Sequence, residues 1–277
     1  MSGLIAVGVA ILVWWFATGA VLILARQGGH RAGMSMAIVS VLALGGVAVL
    51  MGTADQQTVQ GTYLAFFAAL AVWAWHETAF LLGVITGPRR VGLDHVPRER
   101  SRFRAAFRAV RDHEYALAAT ALLLVFLLAD AANKTGLWTF LLLWGMRLST
   151  KVNIFLGAPH AVNDLLPHRL SYLETYFRTD RLSRVFWISL TACTVILLTL
   201  AGAAFLALSD DVRVMWSLLS AFAGLALIEH LFLVLPVRDS VLWHWAARLC
   251  PARPDNDIRT AKPPEKPEDS CPKTAGA

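Results

Sequence analysis

Charge is scarce in this chain. Only 16% of its 277 residues are charged, 57% are hydrophobic, and the mean hydropathy is +0.56. Ordinary soluble domains carry about 25% charge, so that class is excluded and an integral membrane protein is implied. Cysteine is nearly missing too. Cys193 lies in an apolar run, Cys250 and Cys271 lie near or in the tail, and no CxxC pair occurs, which excludes a disulfide framework. No Lys or Arg precedes the first apolar run, whereas Arg26 and Arg31 follow it. That is the reverse of a cleavable signal peptide, and it predicts a retained first span with the N-terminus outside. No HExxH or ExxH spacing is present, nor a convincing inverted repeat of the transporter kind. The net charge of +6 sits in a few loops and the tail. It reads as topology and contact with the lipid bilayer, with no case for nucleic acid.

What is present is a series of apolar runs. The pattern predicts an all-α polytopic bundle of about seven spans, covering residues 1–250 and followed by a cytoplasmic tail, 251–277, expected to be disordered. The spans are expected near Leu4–Leu24, Met34–Gly52, Thr62–Thr86, Tyr115–Asp130, from Leu137 onward, Val185–Leu208 and Val214–Pro236. Two cytoplasmic loops are expected, at 87–113 and 158–184. The first holds Arg89, Arg90, Arg98, Arg100, Arg102, Arg104, Arg108 and Arg111. Seven spans with a periplasmic N-terminus and a cytoplasmic C-terminus put every arginine-rich segment on one side of a bacterial inner membrane. Within the first loop, Phe103, Ala106, Phe107 and Val110 fall at helical spacing with arginines opposite. This predicts an interfacial amphipathic helix leading into the fourth span, or a solvated basic loop that only sets topology.

The organising stretch is MRLSTKVNIFLGAPHAVNDLLPHRLSYLETYF, residues 146–177, where polar groups interrupt the apolar chain. Ionisable groups at bilayer depth are costly unless they face a partner or a cavity. The fifth span has few clean apolar residues before Arg147, and a crossing needs ~20, so this helix is expected to carry Arg147, Lys151 and Asn153 with it. Arg147, Thr150, Lys151 and Ile154 or Asn153, at i, i+3, i+4 and near i+7, are expected to form one polar stripe. Three adjacent pairs accompany them: His76-Glu77, His113-Glu114 and Glu229-His230. The first and third lie roughly 15 residues, or ~22 Å, from the outer ends of their spans at 1.5 Å per residue, in the inner half of the bilayer. Four helices thus converge on one polar layer, capped from the cytoplasmic edge by His160, Asn163 and His168.

Three readings of that layer stand open. Glu77, Glu114 and Glu229 can neutralise Arg147 and Lys151 in buried pairs that only fix packing. His76, His113, His160, His168 and His230 can supply imidazole to a pigment magnesium or a haem iron. The same histidines and glutamates can form a divalent-metal centre, making the protein a membrane metalloenzyme, an oxidoreductase in bacteriochlorophyll or tetrapyrrole metabolism. Of the tryptophans, Trp14, Trp15, Trp138, Trp216, Trp243 and Trp245 fall near span ends, as interfacial belts require. Trp73 and Trp75 flank His76, as core packing or as a stacking surface for a tetrapyrrole.

Three segments carry a family resemblance: WHETAFLLGVITGPRR (75–90), RFRAAFRAVRDHEYAL (102–117) and above all KVNIFLGAPHAVNDLLPHRLSYLETYFR (151–178). Through them nearly the whole chain up to the tail resembles the photosynthetic complex assembly proteins of the PuhE type, found with the photosynthesis genes of purple and related bacteria. The resemblance implies a protein of the cytoplasmic membrane, or of intracytoplasmic photosynthetic membranes. It implies a role in assembling the reaction centre and its antenna, in company with their subunits or other assembly factors, or in bacteriochlorophyll supply to them. It carries no catalytic residues.

Overall fold

The structure, a computed structural model, describes residues 1–93, 99–161, 166–236 and 242–249. The expected disordered tail and Asn163 lie outside the described residues. The chain is all-α. Seven long helices follow in order: α1 Ser2–Ala25, α2 His30–Gly52, α3 Val59–Leu81, α4 Glu99–Leu127, α5 Thr135–Leu156, α6 Arg184–Leu206 and α7 Asp210–Phe232. A 3-10 segment, His168–Tyr176, lies between α5 and α6, and a short α8, His244–Leu249, ends the described chain. Helices α1, α2, α3, α6 and α7 are long and apolar enough to cross a membrane. Helices α4 and α5 match them in length, with 29 and 22 residues, and carry most of the buried charge.

Helix ends follow local chemistry. Thr58 caps α3 by accepting from the Gly61 N–H at 3.0 Å, and Ser183 caps α6 through the Val185 N–H at 3.2 Å, each satisfying an N–H that has no intrahelical acceptor. Asp210 and Asp211 occupy the first turn of α7, where the helix dipole favours negative charge. The third helix stops at Leu81, short of the expected Thr86. Gly83 adopts φ +73° just past its end, and the Gly83 and Val84 N–H groups close back on the Phe80 and Ala79 carbonyls, a left-handed stop that favours glycine. The expected amphipathic segment and fourth span are one uninterrupted helix, α4. Its arginines do not all lie opposite the packed face: Arg102 is buried and donates to the Tyr176 carbonyl at 2.6 Å.

Successive helices run antiparallel, and contacts at both ends show it. At one end Asn133, in the α4–α5 turn, donates from its backbone to Ala54 at 2.7 Å, and Ser2 donates to Asp210 at 3.0 Å. At the other, Arg169 of the 3-10 segment donates to the Leu82, Ala25 and Gln27 carbonyls, and the His160 N–H reaches Leu233. The arginine-rich segments therefore gather at one end of the bundle.

Helix α3 is the hub, with 61% of its apolar stretch buried against 6% for α6. Small residues set its close approaches. A Cβ on Gly46 of α2 would stand 2.7 Å from the Ala68 carbonyl, and one on Gly136 of α5 would meet Leu50 and the Ala65 carbonyl, as in helix pairs that associate in lipid through small residues. Trp73 packs on Phe140, and Trp75 donates to Ser40; both are half-buried. Trp14, Trp15, Trp243 and Trp245 cluster where α8 meets α1, with Trp15 donating to Leu242 and Trp243 to Trp15.

Candidate functional site

The polar layer is built outward from α5. Positions 144, 147 and 151 share one helical face, and each donates across the bundle. Trp144 Nε1 reaches Glu114 Oε2 at 3.3 Å, Lys151 Nζ reaches Glu114 Oε1 at 2.6 Å, and Arg147 Nη2 reaches Glu77 Oε2 at 3.2 Å. Glu114 thus closes α4 on α5, and Glu77 closes α3 on α5. Lys151 also stands 5.3 Å from the centre of the Phe80 ring. Glu229 of α7 is a further electrostatic partner of Arg147.

Asn153 departs from the expected stripe. Two residues on from Lys151, it turns about 200° away and donates to the Ser149 carbonyl and Ser189 Oγ, both at 2.9 Å. This second face of α5 meets α6 and α7. There the His230 Nδ1–H donates to its own helix at Ala226 O, 2.8 Å, so Nε2 is the acceptor and the Ser149 hydroxyl donates to it at 2.9 Å. Sequence reasoning passed over Ser149, Ser189 and Trp144. Helical spacing from Asn153 and Lys151 was the signal available for two of them.

The five histidines do not gather at one point; only His76 and His113 are neighbours. His76 pairs through Nε2 with Thr120 Oγ1 at 3.0 Å and lies 6.5 Å from His113 between ring centres, the two packed behind α3 against Phe140 and Phe80. His230 sits on the other side of α5. His168 is exposed at the start of the 3-10 segment, and His160 is exposed at the arginine-rich end. Among the described residues, no three of His, Cys, Asp and Glu stand close enough to hold a metal ion.

A cavity of about 790 Å³ surrounds the cation-bearing face of α5. Glu77, Glu114, Arg147, Lys151 and Glu229 line it, His160 reaches its edge, and the walls are otherwise apolar and rich in aromatic rings, among them Trp14, Trp73, Trp144 and Phe222. The size is typical of a site for an organic ligand. Leu173, Tyr176 and Phe177 close the arginine-rich end. That cap is tied down by Arg89, whose Nε donates to Tyr176 Oη at 2.6 Å, by Arg102 and by Arg169. The long central stretch is therefore a wall at its α5 end and a lid at its 3-10 end.

Residues 1–253 match the model of the family described as protein of unknown function DUF3623. The chain is 37% identical over 242 residues to the uncharacterized 30.4 kDa protein in the puhA 5′ region of Rhodobacter capsulatus, a match that covers 85% of this chain and 87% of that one. No solved structure matches it.

Proposed function

Because the chain belongs to the DUF3623 family and is a helical membrane protein with a large internal cavity, we propose that it is a membrane-embedded assembly factor for the photosynthetic reaction centre and light-harvesting complexes, one that holds bacteriochlorophyll for delivery. The observation that carries the ligand half of this reading is the aromatic-walled cavity of about 790 Å³ around α5. The puhA-region relative, consistent with a photosynthesis gene cluster, supports the process half, together with the PuhE-type motifs. The residues present fit a chlorin: aromatic side chains offer stacking surfaces, and His160 at the cavity edge offers the imidazole a central magnesium takes. His230 is spent on Ser149 and Ala226. His76 and His113 lie outside the lining.

The metalloenzyme alternative lacks its donor set, since no three candidate ligands converge among the described residues. The reading includes seven crossings of the inner membrane, α4 and α5 among them, with the arginine-rich end in the cytoplasm, the N-terminus in the periplasm and the tail from residue 251 cytoplasmic. Deleting the gene in a photosynthetic host is expected to lower assembled reaction-centre and antenna complexes while leaving most pigment biosynthesis steps intact. Unchanged levels of assembled complexes would overturn the proposal.

A further inference from the structure

Three soft side chains from three helices meet on the second face of α5. Cys193 of α6 places its Sγ 3.6 Å from Sδ of Met146 on α5 and 3.9 Å from Nδ1 of His230 on α7. Met146 and Ser149 lie one turn apart and share a face of α5. Since Ser149 Oγ stands 2.9 Å from His230 Nε2, the thioether and the imidazole are on the same side of that helix. Cys193 is buried and His230 fully so. A thiol facing a thioether makes only a weak hydrogen bond, whereas thiolate, thioether and imidazole together are the donors that soft metal ions select. The set differs from the histidine and glutamate centre set aside above, because methionine supplies the third donor.

The spacing fits one ion at the middle. At ~2.3 Å from metal to sulfur and ~2.0 Å from metal to nitrogen, three ligands in a plane stand ~4.0 Å apart sulfur to sulfur and ~3.7 Å apart sulfur to nitrogen. Charge selects the ion. A monovalent cation on one thiolate, one thioether and one neutral imidazole sums to zero, as a buried site at bilayer depth requires, while a divalent ion leaves a positive charge behind.

We propose that Met146, Cys193 and His230 form a three-coordinate site for a soft monovalent metal ion, copper(I). As the ion binds, the Cys193 thiol gives up its proton to solvent. The His230 ring proton moves from Nδ1 to Nε2, where Ser149 Oγ accepts it, and Nδ1 takes the ion. A ligating histidine held through its far nitrogen is the usual arrangement. The Ala226 carbonyl loses the ring N–H but keeps the backbone N–H of His230 within α7. Met146 also lines the cavity, which gives the ion its way in. The site goes beyond the proposed pigment cavity and stands or falls independently of it.

The test uses the purified, tag-free full chain in detergent, under ascorbate and without oxygen, with copper(I) supplied in competition with the chromogenic chelator bathocuproine disulfonate. The wild-type chain is expected to retain one copper per molecule, and X-ray absorption at the copper edge to show two sulfurs and one nitrogen. Copper wholly surrendered to the chelator, zinc(II) retained in its place, or a spectrum without two sulfurs overturns the assignment without any variant having to fold. Cys193→Ser is expected to abolish retention, and Met146→Leu to weaken it with loss of one sulfur neighbour. Ser149→Ala, which removes the orienting hydroxyl, is expected to weaken it about tenfold or more. The double variant Cys250→Ser, Cys271→Ser is expected to bind as wild type; loss of copper there, with retention in Cys193→Ser, would put the ion on the other thiols and overturn the site. Because the ion joins α6, only 6% buried along its apolar stretch, to α5 and α7, copper(I) is expected to raise the unfolding temperature of the wild-type chain and not that of Cys193→Ser. An equal rise in both would also overturn it.

Discussion

Lys151 Nζ lies 2.6 Å from Glu114 Oε1, joining α5 to α4 at the wall of the cavity, and the indole of Trp144 donates to the other oxygen of the same carboxylate. Both side chains are largely withdrawn, at 24% and 10% exposure, so removing one partner leaves a charge with little water around it. Glu114→Gln is therefore expected to destabilise the protein by about 2 to 4 kcal/mol, near the range for breaking a buried pair. Lys151→Met combined with Glu114→Gln is expected to regain most of that loss. Thermal unfolding of the detergent-solubilised variants decides it; a double variant no better than the single would mean the pair is not the main tie.

Gly136 is where α5 meets α2 and α3, and a β-carbon there would collide with Leu50 and crowd the Ala65 carbonyl. Overpacking a well-fitted core costs roughly 1–3 kcal/mol. Gly136→Val is expected to lower accumulation in the membrane, while Gly145→Val, where the added group meets nothing within 4 Å, leaves it near wild type. Equal accumulation of the two would contradict the close approach.

Much of this arrangement was legible before any coordinates. Apolar runs located the long helices, because a span needs a continuous stretch of suitable length, and the cost of Arg147 at depth required an anion nearby. The pairing itself was open, since depth left both Glu77 and Glu229 within reach of Arg147, with Glu114 nearer the edge. Rotation about α5 decided it, placing Arg147 on Glu77 and Lys151 on Glu114. Of the two residues that could end the polar stripe, Ile154 lies on the cavity side and Asn153 does not, because 100° per residue carries position 153 to the face opposite Lys151. Of the intramembrane histidines, His76 and His113 stand side by side while His230 turns to Ser149 on another face of α5, because rotation is not encoded in a depth estimate. The lid was hidden for another reason: the Arg89, Arg102 and Arg169 contacts with Tyr176 and with helix-end carbonyls join segments far apart in sequence, and no local pattern marks them.

The topology is tested by reporter fusions. Fusions after Gln57 and after Arg100 are expected to signal from opposite sides of the membrane, with the second cytoplasmic, because the arginine-rich ends gather together and positive segments stay inside. Matching signals from the two would refute the arrangement.

His230 ties α7 to α5 through Ser149, with both imidazole nitrogens used and the ring fully buried. His230→Ala removes the acceptor of a buried hydroxyl and opens a void, together expected to cost about 2 to 4 kcal/mol. His230→Gln can restore an acceptor and is expected to recover part of this. Since the ring lies outside the cavity lining, bacteriochlorophyll binding per folded molecule should be unchanged in the glutamine variant. A loss of that binding greater than the loss of folded protein would bring His230 into the cavity site.

Arg147 and Glu77 separate structure from function most sharply. The Arg147 side chain, which lines the cavity, is 41% exposed, whereas that of Glu77 is 11% exposed. Glu77→Gln leaves Arg147 with the weaker pull of Glu229 and Glu114, and Arg147→Met removes the cation that Glu77 faces, so each single change unbalances the layer. Breaking a fully buried pair costs ~3 to 5 kcal/mol; cavity exposure of Arg147 reduces the expected loss to about 1 to 3 kcal/mol. The double variant Arg147→Met, Glu77→Gln removes one charge of each sign and is expected to restore folding and membrane accumulation. If the pair only fixes packing, complex assembly in the host returns with it. If the cavity's polar groups hold its ligand, the double variant folds and accumulates but assembly stays impaired. Full assembly in both single variants would remove the polar layer from the function altogether and leave the sequence segment from His160 to Phe177 as the one to examine.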